Sequence, residues 1–259
     1  NNMKFLPIKY CAFNASWGEE NVLTNFLNKE GVLTFSLEHA FYFNYQHEIP
    51  LDHLNYTNIP MQTSFLAWSE VVKNEIKNKW LAESKIIVAG YFGDRINTKA
   101  HADNINKKIT LNIFLGRKAY SKSNDELVQR LASLDFSGDI YLYPHPLDYE
   151  NIYSKYKGSK FNVLKSLTMR SLENKEIFIV NNTSYIFELS AYGCPILWFR
   201  SNENELPYHL LKELVLTEEK LFSIISEDEV YQTYSAYCTG MSEKILGTNS
   251  NNYKRIFDC

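Results

Sequence analysis

The sequence predicts an α/β protein, on three observations. Short apolar runs alternate with amphipathic stretches through most of the 259 residues, the pattern of strands joined by helices. The alternation breaks once, over the polar stretch RINTKAHADNINKK (residues 95–108), and then restarts. That break predicts a linker and two domains, 1–100 and 101–259. A hydrophobic fraction of 45% is enough to give each domain a core.

The elements follow in order. Glu19–Lys29 reads as a helix with Val22, Leu23, Phe26 and Leu27 on one face, ended by Gly31. VLTFSL (residues 32–37) is a strand ending in Glu38-His39-Ala40, and a polar, aromatic loop runs on to about Met61. TSFLAW (63–68) is a second strand, with Ser69 placed to cap a helix over residues 70–80. SKIIVA (84–89) is a third. In the second half, ITLNIFL (109–115) is a strand running into Gly116-Arg117-Lys118, and residues 124–134 form a helix. Strands follow at 139–143, 161–164, 176–180 and 195–199, with a helix at 185–192 stopped by Gly193. The stretch 227–245 is mainly helical.

Composition excludes several classes. The 27 basic residues are scattered and net charge is −3, so there is no basic stripe for nucleic acid. No apolar run reaches the 18–20 residues that span a bilayer, and the N-terminal stretch NNMKFLPIKY lacks a signal-peptide core. Cys11, Cys194, Cys238 and Cys259 form no CxxC pair, which points away from zinc and toward a reducing cytoplasm. His47, Asp52 and His53 match no metal-ligand spacing. No metal and no cofactor is expected.

In open parallel sheets ligands bind beyond the carboxyl ends of the strands, and the candidate residues cluster at such ends. Pro144 and Pro146 fix the backbone around His145, whose imidazole can donate a hydrogen bond to phosphate, or a charge if protonated. The plainer alternative is a strand-end turn with a wet histidine. In Asn181-Asn182-Thr183-Ser184, Thr183 or Ser184 is a natural N-cap, and the same helix start offers N–H groups to a phosphate. Glu188, one helical turn on, suits a ribose diol or a base; otherwise it is a solvated helix residue. Gly116 and Arg117 suit a diphosphate, or form a surface turn. Glu38 and His39 at a strand end suit proton removal from a hydroxyl, or are a solvated pair.

Together these residues resemble a glycosyltransferase of the GT-B architecture, two Rossmann-like domains facing a cleft. The resemblance is to bacterial surface-polysaccharide enzymes: CMP-sialic acid and Kdo transferases and CDP-glycerol glycerophosphotransferases. His145-Pro146 is similar to the HP motif of the CMP-sugar groups, and Thr183-Ser184 to their serine/threonine motif. NNTSYIFELSAYGCPI (181–196) resembles the wider pattern of a polar turn, a helix glutamate, then Gly-x-Pro. TFSLEHAFY (34–42) resembles both the acidic motif that would make Glu38 the base and a His-Gly motif that would make His39 the base. Ala40 stands where glycine is usual in both.

The resemblance implies a metal-independent glycosyltransferase that moves a sugar from a nucleotide-sugar donor, CMP-linked, to a cell-surface glycan such as capsule or lipopolysaccharide. It implies catalytic roles for Glu38 or His39 and for His145. It implies donor contacts from Gly116, Arg117, His145, Pro146, Asn182, Thr183, Ser184 and Glu188. The acceptor is expected to be a glycan or lipid-linked glycan, reached from the cytoplasm or from the inner-membrane face. CDP-polyol phosphate transfer, a UDP-sugar 2-epimerase and an inactive nucleotide- or glycan-binding module are the alternatives. The first half holds too few strands for a complete GT-B domain, so part of it is expected to be missing from the sequence.

Overall fold

A computed structural model describes residues 6–16, 18–38, 59–77, 81–92, 108–167, 174–202, 208–247 and 252–257. The chain divides into two compact units. One is Asn1–Asp94 together with Glu243–Cys259; the other is Arg95–Ser242. The division read from the sequence at residue 100 contains no such return of the C-terminal segment. Most of the predicted linker lies outside the described residues.

Unit 1 begins β1 (Lys9–Ala12), α1 (Gly18–Lys29), β2 (Leu33–Leu37), β3 (Ser64–Ala67), α2 (Glu70–Ile76) and β4 (Ile86–Val88). The four strands form a parallel sheet in the order β1-β2-β3-β4. β1 carries a lysine and a tyrosine among four residues, so no apolar run announces it. Ser69 caps α2 as its sequence suggests, accepting from the Val72 N–H at 3.4 Å. α2 is shorter than expected and ends at Ile76.

α1 departs from its expected orientation. Leu27 is buried, but Val22, Leu23 and Phe26 are exposed, Val22 by 70%. Hydrogen bonds choose the buried face instead. The Asn21 amide donates to Ala15 O at 2.8 Å, and the Thr24 hydroxyl to Glu20 O at 2.6 Å. Asn28 donates to Thr63 Oγ1 at 3.2 Å and accepts from Thr34 Oγ1 at 2.5 Å. Residues 21, 24 and 28 share one face at helical spacing. Thr34 and Thr63 are buried and also bond to each other at 2.9 Å, so turning this face outward would cost this buried polar cluster its two bonds to Asn28.

Unit 2 runs β5 (Ile109–Phe114), α3 (Ser121–Ala132), β6 (Asp139–Tyr143), α4 (Tyr149–Tyr156), β7 (Asn162–Val163), β8 (Lys175–Val180), α5 (Tyr185–Leu189), β9 (Ile196–Trp198), α6 (Tyr208–Leu211), α7 (Glu218–Ser226) and α8 (Asp228–Leu246). Its five-stranded parallel sheet has the order β7-β6-β5-β8-β9. The chain therefore winds outward from β5 in one direction, returns, and winds outward in the other. The point of reversal lies between β5 and β8, and in open parallel sheets ligands bind beyond the carboxyl ends near such a point. One core cluster joins Leu111, Ile113, Leu142, Ile177, Ile179 and Leu197 of the sheet to Leu127, Val128 and Leu131 of α3 and Leu221 and Ile224 of α7. Each such side chain contributes about 1.5–3 kcal/mol by leaving water.

α8 starts in unit 2, and its last residues, from Glu243, belong to unit 1. There Leu246 O accepts from the Tyr91 N–H at 2.9 Å. A final helix, α9 (Asn252–Phe257), packs on unit 1. The Tyr253 hydroxyl donates to Gly90 O at 2.7 Å, Lys9 Nζ to Ile256 O at 2.9 Å, and the Phe257 ring meets Phe35 edge-on at 5.3 Å. Gly247 makes the turn into this segment at φ +70°, where an added Cβ would lie 2.5 Å from Trp68 O. A side chain there meets both left-handed strain and a backbone clash. Gly247→Ala is expected to destabilise unit 1 by about 3 kcal/mol, a fall in Tm of roughly 6–12 °C. A thermal melt followed by circular dichroism checks this.

Candidate functional site

The carboxyl ends of β5, β6 and β8 surround a cavity of about 310 Å³ in unit 2. Its walls are mainly apolar: Phe114, Leu115, Tyr143, Pro144, Leu167 and Tyr185. Phe114 and Tyr143 are the last residues of paired strands, and their rings stack at 4.7 Å, 11° from parallel. Tyr185 meets Phe114 at 5.6 Å. The Tyr143 hydroxyl is drawn along the sheet, donating to Asn112 Oδ1 at 3.1 Å, while Asn112 donates to Glu176 Oε2 at 2.5 Å. This buried chain fixes the ring that walls the cavity. Its polar lining residues are His145, Lys165, Ser166 and Thr183.

His145 sits where β6 surfaces. It caps a short 3-10 turn, Pro146–Asp148, and its Nδ1 accepts from the Leu147 N–H at 3.3 Å. The accepting nitrogen carries no proton, so the neutral ring holds its hydrogen on Nε2. Burial pushes the imidazole below its ordinary value; the positive charge of Arg117 adds to this, and Asp148 opposes it. The residue is thus a neutral donor, with the charge of Arg117 close enough to act on it. Of the two ways His145 could meet phosphate, this favours donation over positive charge.

Gly116 has a different surrounding from the one its sequence suggests. Its N–H donates to Asn124 Oδ1 at 3.0 Å, and its carbonyl accepts from Asn124 Nδ2 at 2.9 Å. That N–H is already engaged and is not offered to a diphosphate. A Cβ here would lie 3.0 Å from Asn181 O and 3.1 Å from Asn182 O, so the glycine lets the turns after β5 and β8 approach. Asn181 joins the same cluster, donating to Asn124 Oδ1 at 2.7 Å and Ser123 Oγ at 3.1 Å.

Asn182 has φ +41°, the one non-glycine residue with positive φ among those described; asparagine tolerates this better than most side chains. The N–H groups beyond it are also used locally. Tyr185 donates to Thr183 Oγ1 at 3.3 Å, Ile186 to Thr183 O and Phe187 to Ser184 O. Ser184 holds the cap position without a side-chain cap bond. The N–H groups of Tyr185 to Phe187 are thus engaged locally, and the side chains of Thr183 and Ser184 stand at the start of α5. Glu188 is half-buried. Its charge adds to the burial that raises the phenols of Tyr185 and Tyr192, whose hydroxyls bond to each other.

The cavity gathers His145, Pro146 and Thr183. Arg117 is linked to it through the charge it exerts on His145. Asn182 and Ser184 adjoin it in sequence on the β8–α5 connection, and Glu188 lies within α5. Glu38 lies in unit 1 and is fully buried. Its carboxylate accepts from the Trp68 N–H at 2.7 Å, and its carbonyl accepts from the Trp68 indole at 2.8 Å. As placed, Glu38 clamps the end of β3 and has no exposed surface for a substrate hydroxyl. His39 and the following loop, with His47, Asp52 and His53, lie outside the described residues. Sequence reasoning passed over the aromatic walls, Asn124 and Lys165. Aromatic residues ending two strands, Phe114 and Tyr143, were the available signal.

No family model and no curated protein matches the sequence. Solved structures do. A candidate UDP-N-acetylglucosamine 2-epimerase from Listeria monocytogenes aligns with 96% of this chain and 73% of its own, at 12% identity and a TM-score of 0.59. The wall teichoic acid polymerase TagF aligns over 97% and 71%, at 15% identity and 0.56. MurG from Acinetobacter baumannii aligns over 96% and 72%, at 12% identity and 0.51. These neighbours are bacterial surface-glycan enzymes of GT-B architecture, and at such low identity the likeness speaks to fold. With parallel sheets in both units and the winding reversal in unit 2, it assigns this chain the GT-B fold.

Proposed function

We propose that the chain is a metal-independent glycosyltransferase of bacterial surface-glycan synthesis, with a CMP-linked sugar as donor. The observation that carries this reading is the cavity at the winding reversal of unit 2, aromatic-walled and bordered by His145 and Thr183. Its size and lining suit one nucleoside. The His145 Nε2–H and the hydroxyls of Thr183 and Ser184 then meet the phosphate. As the bond from sugar to phosphate breaks, negative charge grows on the phosphate oxygens, and donors already in place stabilise it. Arg117 adds positive charge nearby. The acceptor hydroxyl gives its proton to a base; burial of Glu38 favours His39 for that step. The acceptor is a cell-surface glycan or a lipid-linked glycan, met at the cytoplasmic face of the membrane. No described helix is long and apolar enough to cross a membrane.

Two neighbours keep neighbouring chemistries in view: TagF supports polyol-phosphate transfer, and the Listeria protein supports epimerisation of a UDP-sugar. Calorimetric titration with CMP, CDP and UDP separates them. The proposal expects CMP to bind tightest, by about tenfold, or 1.4 kcal/mol. A preference for CDP would move the donor to a CDP-polyol, and one for UDP to a UDP-sugar. Absence of binding by all three would overturn the nucleotide reading.

A further inference from the structure

We propose that Lys165 supplies the positive charge of the donor-phosphate subsite, held ready for it by Tyr149 and Glu150. The inference rests on the nucleotide reading above and adds a residue that neither the sequence motifs nor the neighbours assign.

The cavity wall is short of positive charge. A phosphate leaving with the nucleotide brings negative charge into a mainly apolar enclosure, where an uncompensated charge is costly. His145 contributes a hydrogen bond but, as a neutral ring, no charge, and Arg117, whose charge reaches His145, is not among the lining residues. Thr183 and Ser166 contribute hydroxyls. Lys165 is the lysine on the cavity wall, on the segment that follows β7.

Two neighbours position its ammonium. Lys165 Nζ lies 4.8 Å from the centre of the Tyr149 ring, within range of a cation–π attraction. It lies 3.8 Å from a Glu150 carboxylate oxygen. Tyr149 in turn stacks on Tyr153 at 5.7 Å, one helical turn on. Tyr149 and Glu150 open α4, directly after the turn that carries His145. A single short segment therefore sets both the neutral donor and the cation. This gives the His-Pro turn a second task.

The pair with Glu150 is suited to exchange. Its side chains are 71% and 82% exposed, and such a pair contributes little to stability. A phosphate in the cavity offers the ammonium shorter, charge-assisted bonds. On binding, Lys165 leaves Glu150 for the phosphate while keeping the ring beneath it. Glu150 is then a competitor for the cation.

The test is calorimetry on the full chain with two probes, CMP and uncharged cytidine. Lys165→Ala is expected to weaken CMP about tenfold and to leave cytidine unchanged. Lys165→Arg should retain most of the CMP affinity. Glu150→Gln should tighten CMP a few-fold, because the competing carboxylate is gone, again without change for cytidine. A purely structural lysine would move both probes together and would not respond to Glu150→Gln. Equal losses of CMP and cytidine in Lys165→Ala, or no loss of CMP while the wild type binds it, overturns the assignment and leaves the nucleotide reading standing. Failure of the wild type to bind either probe overturns the assignment together with the CMP-linked reading.

Discussion

His145→Ala lowers the rate of sugar transfer about a hundredfold to a thousandfold, the cost of removing one preorganised donor from a developing oxyanion. His145→Gln recovers part of that loss, because its amide can replace the Nε2–H. The pH dependence separates a neutral donor from a charged one. Burial and Arg117 hold the imidazole below its ordinary value of 6.5, so above pH 6.5 it is neutral in both folded and unfolded chains. Below 6.5 the unfolded chain takes the proton first. Stability from this group is therefore complete above 6.5 and is lost as pH falls through the depressed folded value. Transfer should follow the same sense, steady on the alkaline side as far as His145 is concerned and falling toward acid. A rate that instead fell as pH rose through 6.5, and lost that fall in His145→Ala, would show a charged imidazole at work.

Asn124→Ala is the second large effect. One amide side chain holds both polar groups of Gly116 and accepts from Asn181. All three residues are buried, so water does not replace the lost bonds. Leaving the Gly116 N–H and carbonyl unpaired costs about 3 kcal/mol, taking roughly 1–3 kcal/mol for each and allowing for local relaxation. The midpoint of urea unfolding should fall while the slope is unchanged. Nucleotide binding should weaken as well, since the cluster joins the turn after β5 to the turn after β8. A variant with wild-type stability would show that the cluster is dispensable.

Much of this could be read from the sequence. The strands of unit 2 are apolar runs with clear ends, and the turns that follow β5, β6 and β8 border the cavity. His145 was marked by its prolines, and Thr183 by its place between a strand and a helix. What the sequence hid was partner choice. The face of α1 was set by hydrogen bonds from Asn21 and Asn28, which apolar periodicity does not register. Gly116 and Glu38 stand in the expected places, yet Asn124 and Trp68 occupy their polar groups. Trp68 reaches Glu38 across thirty residues through the pairing of β2 with β3, and Asn124 reaches Gly116 by the way α3 folds back on the end of β5. Lys165 belongs to no motif, and only the cavity singles it out.

The return of the chain to unit 1 has a consequence for biogenesis. Unit 2 is one continuous stretch, so it can mature as soon as its own residues have left the ribosome. Unit 1 is interrupted: the helix bearing Tyr253 and Phe257 is translated after all of unit 2. The N-terminal sheet must therefore wait, with Phe35 lacking its edge-on neighbour, while the rest is made. Domains usually mature in order from the N-terminus during synthesis; here the unit begun first is the one completed last.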